Sequence, residues 1–489
     1  MRTANQVTPG VAAEPVAADQ VTAGVAADPV AGAPGAARRR ALARALIREL
    51  HPAFGGPATL GIRLADDDRE APASAEAPAQ APGEAPGEAP APVTVPRATV
   101  TLRSPDAVGR LILSPTADAF AEGYLRGDLD IEGDVVAAVE AGGSFDLRRL
   151  RPDGMRRLGR WGLELYRGTP AAVPLRRVAR LAGAPHSPAR DMEAVRFHYD
   201  VGESFFGLWL DRRLTYSCAY FPDGVTPEAA VGVLDEAQEA KLDLIARKLR
   251  LDQATRLLDI GCGWGSLVIR AAETTGCEAV GITLSQRQAD DANARAAAAG
   301  LGGRARAEVR DYRDLDALGM FDAVASVGMF EHVGRANLPV YFRAAFDALR
   351  PGGLFLNHGI AGASVGGRPA GPGLRPRTGR FIDRYVFPDG ELVPVDEAVA
   401  HARAAGFEVV DVQSLRHHYA LTLAAWVARL EARWGEAVAA AGEEVARTWR
   451  LYMSASRLGF QQGSIDVAQV LLAKPSNDGP ARFPLRPWW

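Results

Sequence analysis

Residues 256–268, Arg-Leu-Leu-Asp-Ile-Gly-Cys-Gly-Trp-Gly-Ser-Leu-Val, set an acid and three glycines where a strand would hand over to a helix. Leu257 and Leu258 end a short apolar run, Asp259 follows, and Gly261, Gly263 and Gly265 alternate before a helical pattern from Ser266 to Glu273. Glycine allows backbone shapes and close approaches that a Cβ forbids. Such a turn can therefore lay bare peptide groups against a nucleotide-like ligand at a helix N-terminus. The spacing is not the dinucleotide pattern G-x-G-x-x-G, because the third glycine comes one residue early. A glycine turn alone is weak, and its flanks must decide what it binds.

Those flanks alternate strand and helix, as a doubly wound α/β domain with a mostly parallel sheet should. Strands are expected at 256–260, 279–283, 305–310, 323–327, 353–358 and 407–414, with helices at 228–249 and 285–298 among those between. The domain spans 191–475, and 476–489 reads as a polar, Pro-containing tail ending in Trp488 and Trp489.

At 489 residues the chain exceeds one ordinary core. With 47% hydrophobic and 24% charged residues, its balance is that of a globular protein. A net charge of −3 excludes no partner, but lysine occurs only at Lys241, Lys248 and Lys474, so the basic charge is nearly all arginine. Cys218, Cys262 and Cys277 form no C-x-x-C pair, which argues against a disulfide framework or a zinc site, and no metal is expected. No apolar run reaches membrane-spanning length and no signal-peptide pattern opens the chain, so a cytoplasmic protein is expected.

Residues 1–37, rich in Ala, Val, Pro and Gly, are expected to be disordered. A small α+β domain follows over 38–147. It opens on a helix with Arg40, Arg44 and Arg48 on one face, read as solvated, and Leu42, Leu46 and Leu50 on another. Strands at 59–65 and 97–103 read as a pair, with an Ala/Pro/Glu insertion at about 68–96 forming an extended hairpin tip. Residues 148–190 are expected to be arginine-rich linker helices; Trp161, Leu163, Leu165 and Tyr166 interleave the arginines. No nucleic-acid-binding signature accompanies that charge, and no nucleic acid partner is expected. An anionic lipid surface and a plain helical linker both fit.

The order D-x-G-x-G-x-G resembles motif I of the S-adenosylmethionine-dependent methyltransferases. Four further stretches narrow the resemblance: F-H-Y-D-V-G-E-S-F-F-G-L-W-L-D-R-R-L-T-Y-S-C-A-Y-F (197–221), V-A-S-V-G-M-F-E-H-V-G (324–334), L-F-L-N-H-G-I (354–360) and S-L-R-H-H-Y-A-L-T-L (414–423). Together they resemble the cyclopropane fatty acid synthases, including the mycolic acid cyclopropane synthases, over roughly 191–474. Residues 104–134 also resemble the small N-terminal domain of the phospholipid-acting members.

The resemblance implies a class I methyltransferase fold and methyl transfer from S-adenosylmethionine to a cis double bond of a phospholipid acyl chain. A carbocation forms, and a bound bicarbonate takes the proton whose loss closes the ring. It places the bicarbonate cradle at Cys218, Glu331, His358, the Ile360 backbone and Tyr419. It places the cofactor at Tyr216, Ser217, Asp259, Gly261, Gly263, Gly265, Thr283, Gln288, Asp311 and Tyr312. Asp259 orders the glycine loop or reaches the methionine end; Thr283 and Gln288 stand where most such enzymes carry a ribose-binding acid. Ser456 replaces a cysteine common in the family. The implied setting is the cytoplasmic face of the inner membrane, with apolar helices around 381–407 and 421–460 offering either an acyl channel or plain core. A homodimer stays open. The same scaffold could instead leave a 10-methylene branch, and a reductase partner would then follow. A lipid-binding protein without catalysis and a small-molecule methyltransferase complete the alternatives.

Overall fold

The computed structural model describes residues 35–55, 60–65, 96–199, 201–362 and 380–489. Expectations for the Ala/Pro segments at 1–37 and 68–96 lie almost wholly outside those residues. Among the described residues two sheets form. The small one comprises β1 (Gly61–Leu64), β2 (Ala98–Leu102) and β3 (Leu129–Gly133). The large one comprises β4 (Arg256–Ile260), β5 (Glu278–Thr283), β6 (Ala305–Val309), β7 (Phe321–Val327), β8 (Leu349–Gly362), β9 (Glu408–Ser414) and β10 (Ile465–Ala473).

The large sheet runs β6-β5-β4-β7-β8-β10-β9. The first five strands are parallel, and β10 is inserted antiparallel between β8 and β9. Alternate residues feed opposite faces, as in a sheet covered on both sides. Leu257, Ala279, Ala323 and Leu356 pack with Leu242, Ile245 and Leu267 on one face. Leu258, Val280, Val324 and Phe355 pack with Tyr341, Phe342 and Ala402 on the other. The chain leaves β4 outward to β5 and β6, then returns to β7 on β4's other side. That reversal opens a crevice beyond the strands' carboxyl ends, where open α/β sheets bind ligands.

The parallel strands fall within a few residues of their expected places. β10 was not anticipated: its apolar run Val470–Leu471–Leu472–Ala473 resembles a helix tail, and its strand identity comes from pairing with β8 and β9. The helix expected over 228–249 is broken into Pro227–Ala230 and Leu234–Lys248.

Two further readings are corrected in the N-terminal half. β1 and β2 pair parallel, Gly61 opposite Thr99, so the chain between them is a crossover and not a hairpin tip. Parallel neighbours cannot be joined by a tight turn. The 148–190 stretch contains one long helix, Pro152–Arg167, up to the start of the helix Pro188–Tyr199, rather than a run of linker helices. That helix belongs to the N-terminal unit: Leu158, Trp161 and Leu165 are buried, and Arg157 forks onto Glu49 at 2.8 and 3.0 Å. The helix Gly35–Leu50 buries Leu42 and Leu46 as expected, and Arg44 on its basic side is half-buried.

The N-terminal unit is welded to the half that carries the large sheet. Arg447, buried in the helix Glu443–Gln462, donates to the carbonyls of Tyr124 and Leu129, and Arg450 donates to the Tyr124 hydroxyl and the Ile131 carbonyl. One continuous apolar core runs from Leu42 through Leu165 to Trp209, Leu423, Trp426 and Trp449. Trp488 and Trp489 fold back: the Trp488 indole donates to the Arg247 carbonyl and stacks under Arg250.

Candidate active site

The crevice beyond β4 is lined by Asp259, Gly261, Gly263, Tyr216, Ser217, Thr283, Gln288 and Tyr312, among others. The glycine turn is pinned to the sheet where the Gly261 and Cys262 amides both donate to the Ile282 carbonyl at 2.9 Å. Gly261 has φ +87°, and a Cβ there would stand 2.8 Å from the Met329 Cβ. At Gly263 a Cβ would meet no protein atom within 4 Å, so any side chain would fill the cavity itself. The loop is thus cleared on one side for packing and on the other for a ligand.

The cavity walls carry polar groups with hydrogen-bonding capacity to spare. Asp259 is buried, its Oδ1 has no partner, and burial pushes its carboxyl up to about 7. It makes no hydrogen bond to the glycine loop, which leaves the cavity as its target. Thr283 donates to Gln288 Oε1 at 2.8 Å while accepting from the Ser285 amide, and Gln288 Nε2 has no protein partner. The Tyr312 hydroxyl is also unpartnered, and burial raises it to about 12. Asp311 stands apart: its carboxylate is held by the Arg313 amide and guanidinium at 2.9 and 2.8 Å, and Tyr312 and Arg313 line the cavity instead. Buried polar atoms without partners are uncommon, and several around one cavity mark a polar ligand. A nucleoside joined to an amino acid, as in S-adenosylmethionine, matches this donor and acceptor set.

The cradle residues lie behind this wall. Glu331 sits on a 3₁₀ turn, Phe330–His332, just past β7. Its Oε1 accepts the Ile360 amide at 2.6 Å, its Oε2 has no partner, and burial raises the carboxyl to about 7. The Ile360 backbone is therefore engaged by Glu331 directly. Tyr419 is buried against Phe460 and Trp426, its phenol raised by burial and by its neighbours Tyr452, Cys218 and Glu331. The Cys218 thiol donates toward the carbonyls of Ala219 and Leu415, and burial pushes it far above its usual range, so it is a neutral thiol. His358 is held at 3.3 Å from Gln469 on β10, and burial lowers it to about 3. The structure thus gathers Glu331, Ile360, Tyr419 and Cys218, while His358 makes its side-chain contact with Gln469.

Why two distant motifs meet here is visible in their bonds. The Ala219 amide donates to Thr422 Oγ1 and the Phe221 amide to His418 Nδ1, both at 3.0 Å. The Y-S-C-A-Y-F segment is thereby stitched to the helix Arg416–Ala432, and Cys218 and Tyr419 are brought to one place. His418 is a structural anchor; His417 is exposed. His332 lines the cavity as a half-buried neutral ring, lowered to about 4.

Several residues of this site were not anticipated. Tyr199 and Tyr452 both feel the Glu331 carboxyl, and Ser456 bonds the Tyr452 hydroxyl. Phe206, Trp209, Tyr216, Trp264, Trp426 and Trp449 form a contiguous aromatic wall with ring centroids 5.2–5.9 Å apart. The buried Lys241 also lines the cavity. Its signal was present: it is one of three lysines among 56 basic residues.

The topology and this cavity define a class I S-adenosylmethionine-dependent methyltransferase. The family profile described as mycolic acid cyclopropane synthetase matches residues 186–470, and the chain belongs to that family. It is 40% identical over 386 residues to a probable fatty acid methyltransferase of Pseudomonas putida, covering 78% of this chain and 89% of the relative. It is 34% identical over 385 residues to a tuberculostearic acid methyltransferase of Mycobacterium tuberculosis, covering 78% and 84%. Among solved structures, it resembles a mycolic acid cyclopropane synthase complexed with SAH and CTAB. That match has a TM-score of 0.53 and 37% identity, covering 58% of this chain and 98% of that one. The protein is an S-adenosylmethionine-dependent methyltransferase, and lipid-modifying enzymes are its kin. No helix among the described residues is long and apolar enough to cross a membrane.

Proposed function

We propose that the protein adds the methyl carbon of S-adenosylmethionine to the cis double bond of an unsaturated phospholipid acyl chain and closes a cyclopropane ring. The observation that carries this is the Glu331 carboxyl, bonded to the Ile360 amide, buried beside the phenols of Tyr199, Tyr341, Tyr419 and Tyr452 and set behind the cofactor cavity. A small-molecule amine or alcohol methyltransferase has no use for such a cradle.

S-adenosylmethionine, held by the cavity groups described, supplies an electrophilic methyl. Bicarbonate would be held by the unpartnered Glu331 Oε2 and His358 Nε2 beside Cys218 and Tyr419, with the Ile360 amide acting through Glu331, and would supply a base. The alkene's π pair forms the new carbon–carbon bond as the sulfur–carbon bond breaks; a proton then leaves the transferred carbon and the ring closes. The chain's own residues do the rest. The aromatic wall excludes water and turns electron-rich faces toward positive charge. Glu331, with its carboxyl near 7, can carry the proton that lets it donate to an anion instead of repelling it. His358 and Cys218, both neutral, add hydrogen-bonding capacity without charge.

The acyl substrate is supported by which relatives share the N-terminal unit. Matches of 385 and 386 residues are too long to fit within 191–475, and those relatives are named for fatty acids. Cyclopropane mycolic acid synthase 1 of Mycobacterium tuberculosis matches over 286 residues only. The name of the tuberculostearic acid relative favours a second reading, in which the same cation loses a different proton and leaves a 10-methylene branch for a reductase. On either reading the enzyme works at the cytoplasmic face of the inner membrane.

The test is to incubate the protein with methyl-labelled S-adenosylmethionine and vesicles of a cis-monounsaturated phospholipid, then record proton NMR of the acyl chains. High-field ring protons establish the cyclopropane. Vinylidene protons establish the branch, and mass alone cannot separate these isomers.

A further inference from the structure

Lys241 is fully buried in the helix Leu234–Lys248, yet its ammonium has one protein partner, the Ser217 hydroxyl at 2.8 Å. Among the described residues no carboxylate lies within ion-pairing distance of it; Asp211, Cys218 and Asp259 are felt only through space. A buried charge this poorly matched is costly unless an anion arrives. Support of Ser217 does not account for it. Gln238, one turn earlier on the same helix face, already holds the Ser217 and Thr215 carbonyls at 2.8 and 3.3 Å. A neutral donor would serve the hydroxyl as well.

The ammonium lines the cofactor cavity, and so does Asp259 with its unpartnered oxygen. One wall therefore presents a cation and an acid, each with hydrogen-bonding capacity unspent and not paired to each other. A ligand that carries a carboxylate and an ammonium on one carbon fits both at once.

We propose that Lys241 binds the α-carboxylate of the methionine portion of S-adenosylmethionine, with Asp259 taking its α-ammonium. The pair forms a clamp that fixes the amino-acid end of the donor, while Gln288 and Tyr312 stand at the nucleoside end. Lys241 is thereby a cofactor-binding residue that also orders Ser217, the neighbour of Cys218. The inference deepens the cofactor reading and does not depend on which acyl chain is the substrate. Burial holds the Lys241 ammonium down to about 8, and an arriving carboxylate would raise it.

The test uses calorimetric titration of the full chain with two ligands: S-adenosylhomocysteine, and 5′-methylthioadenosine, which lacks the amino-acid group. Lys241→Met should weaken S-adenosylhomocysteine roughly ten- to a hundred-fold, as loss of a charge-assisted bond does, and leave methylthioadenosine unchanged. Equal losses for both ligands, or none for either, would overturn the clamp. Should Lys241→Met not fold, the wild-type protein decides: S-adenosylhomocysteine should bind roughly ten-fold or more tightly than its decarboxylated analogue, which keeps the ammonium and lacks the carboxylate, and equal affinities would refute the assignment. Because neither arm involves lipid, failure here is separate from failure of the acyl-chain reading.

Discussion

Lys241 and Lys248 lie seven residues apart on one helix, roughly 10 Å along its axis, and both are fully buried. Lys248 is satisfied: it donates to Asp411 at 2.9 Å and Gln413 at 2.7 Å, and the Trp489 ring covers it at 5.2 Å. Lys241 has the Ser217 hydroxyl and a cavity. The same residue type, at the same burial, closes one end of the domain and opens the other. What separates framework from site is whether a buried polar group has spent its bonds, and burial alone does not tell them apart.

The largest test of that contrast is at Glu331, whose Oε2 is unspent. Glu331→Ala should cut turnover by roughly 10²–10⁴-fold, the range for a positioned proton-transfer group, with S-adenosylhomocysteine affinity held. Single-turnover kinetics beside calorimetry would read both. At the spent end the effect should move to stability. Asp411→Ala strands the Lys248 charge and should cost about 3 kcal/mol by urea unfolding, the low end for a broken buried pair because Asp411 keeps some water contact. Lys241→Met, which removes a charge the fold leaves unmatched, should not lower unfolding stability.

Protonation offers a third handle. Asp259 and Glu331 are both raised to about 7, so the folded protein holds protons that the unfolded chain releases near pH 4. Stability of the ligand-free protein should therefore fall as pH rises through 7. His358, buried, and His332, half-buried, are both neutral and act in the opposite direction only below their unfolded value of about 6.5. Thermal unfolding above that pH should show the decline, and Asp259→Asn with Glu331→Gln should flatten it. The smallest effect belongs to the tail. Replacing Trp488 and Trp489 by Ala removes the rings over Arg250 and Lys248 and should cost about 1 kcal/mol, with ligand binding untouched.

The parallel sheet was legible because strands buried on both faces write themselves as continuous apolar runs. The glycine turn was legible because Gly261 and Gly265 stand at positive φ where a Cβ would come within 2.8–2.9 Å of a neighbouring side chain. β10 was not, since an edge-to-centre antiparallel strand takes its identity from its partners. The parallel pairing of β1 and β2 was hidden because sequence proximity of two strands suggests a hairpin, and pairing direction is a tertiary property. That Cys218, Glu331 and Tyr419 share one buried region was legible through whole motifs; Asp311, bound to Arg313, shows that a motif position does not fix a side chain's direction. Lys241 escaped because a lysine on a helix ordinarily reads as solvated. Tyr452 escaped because helical aromatics ordinarily read as core, which this one also is.

One-carbon transfer to an acyl double bond by the cradle around Glu331 can be followed with isotopic methyl from S-adenosylmethionine into vesicle phospholipid, using wild-type and Glu331→Ala protein. Label should appear in the acyl chains for wild type and almost not at all for the variant, while both bind S-adenosylhomocysteine alike. Absence of label with wild-type protein that binds the cofactor, or equal labelling by the two, would contradict it.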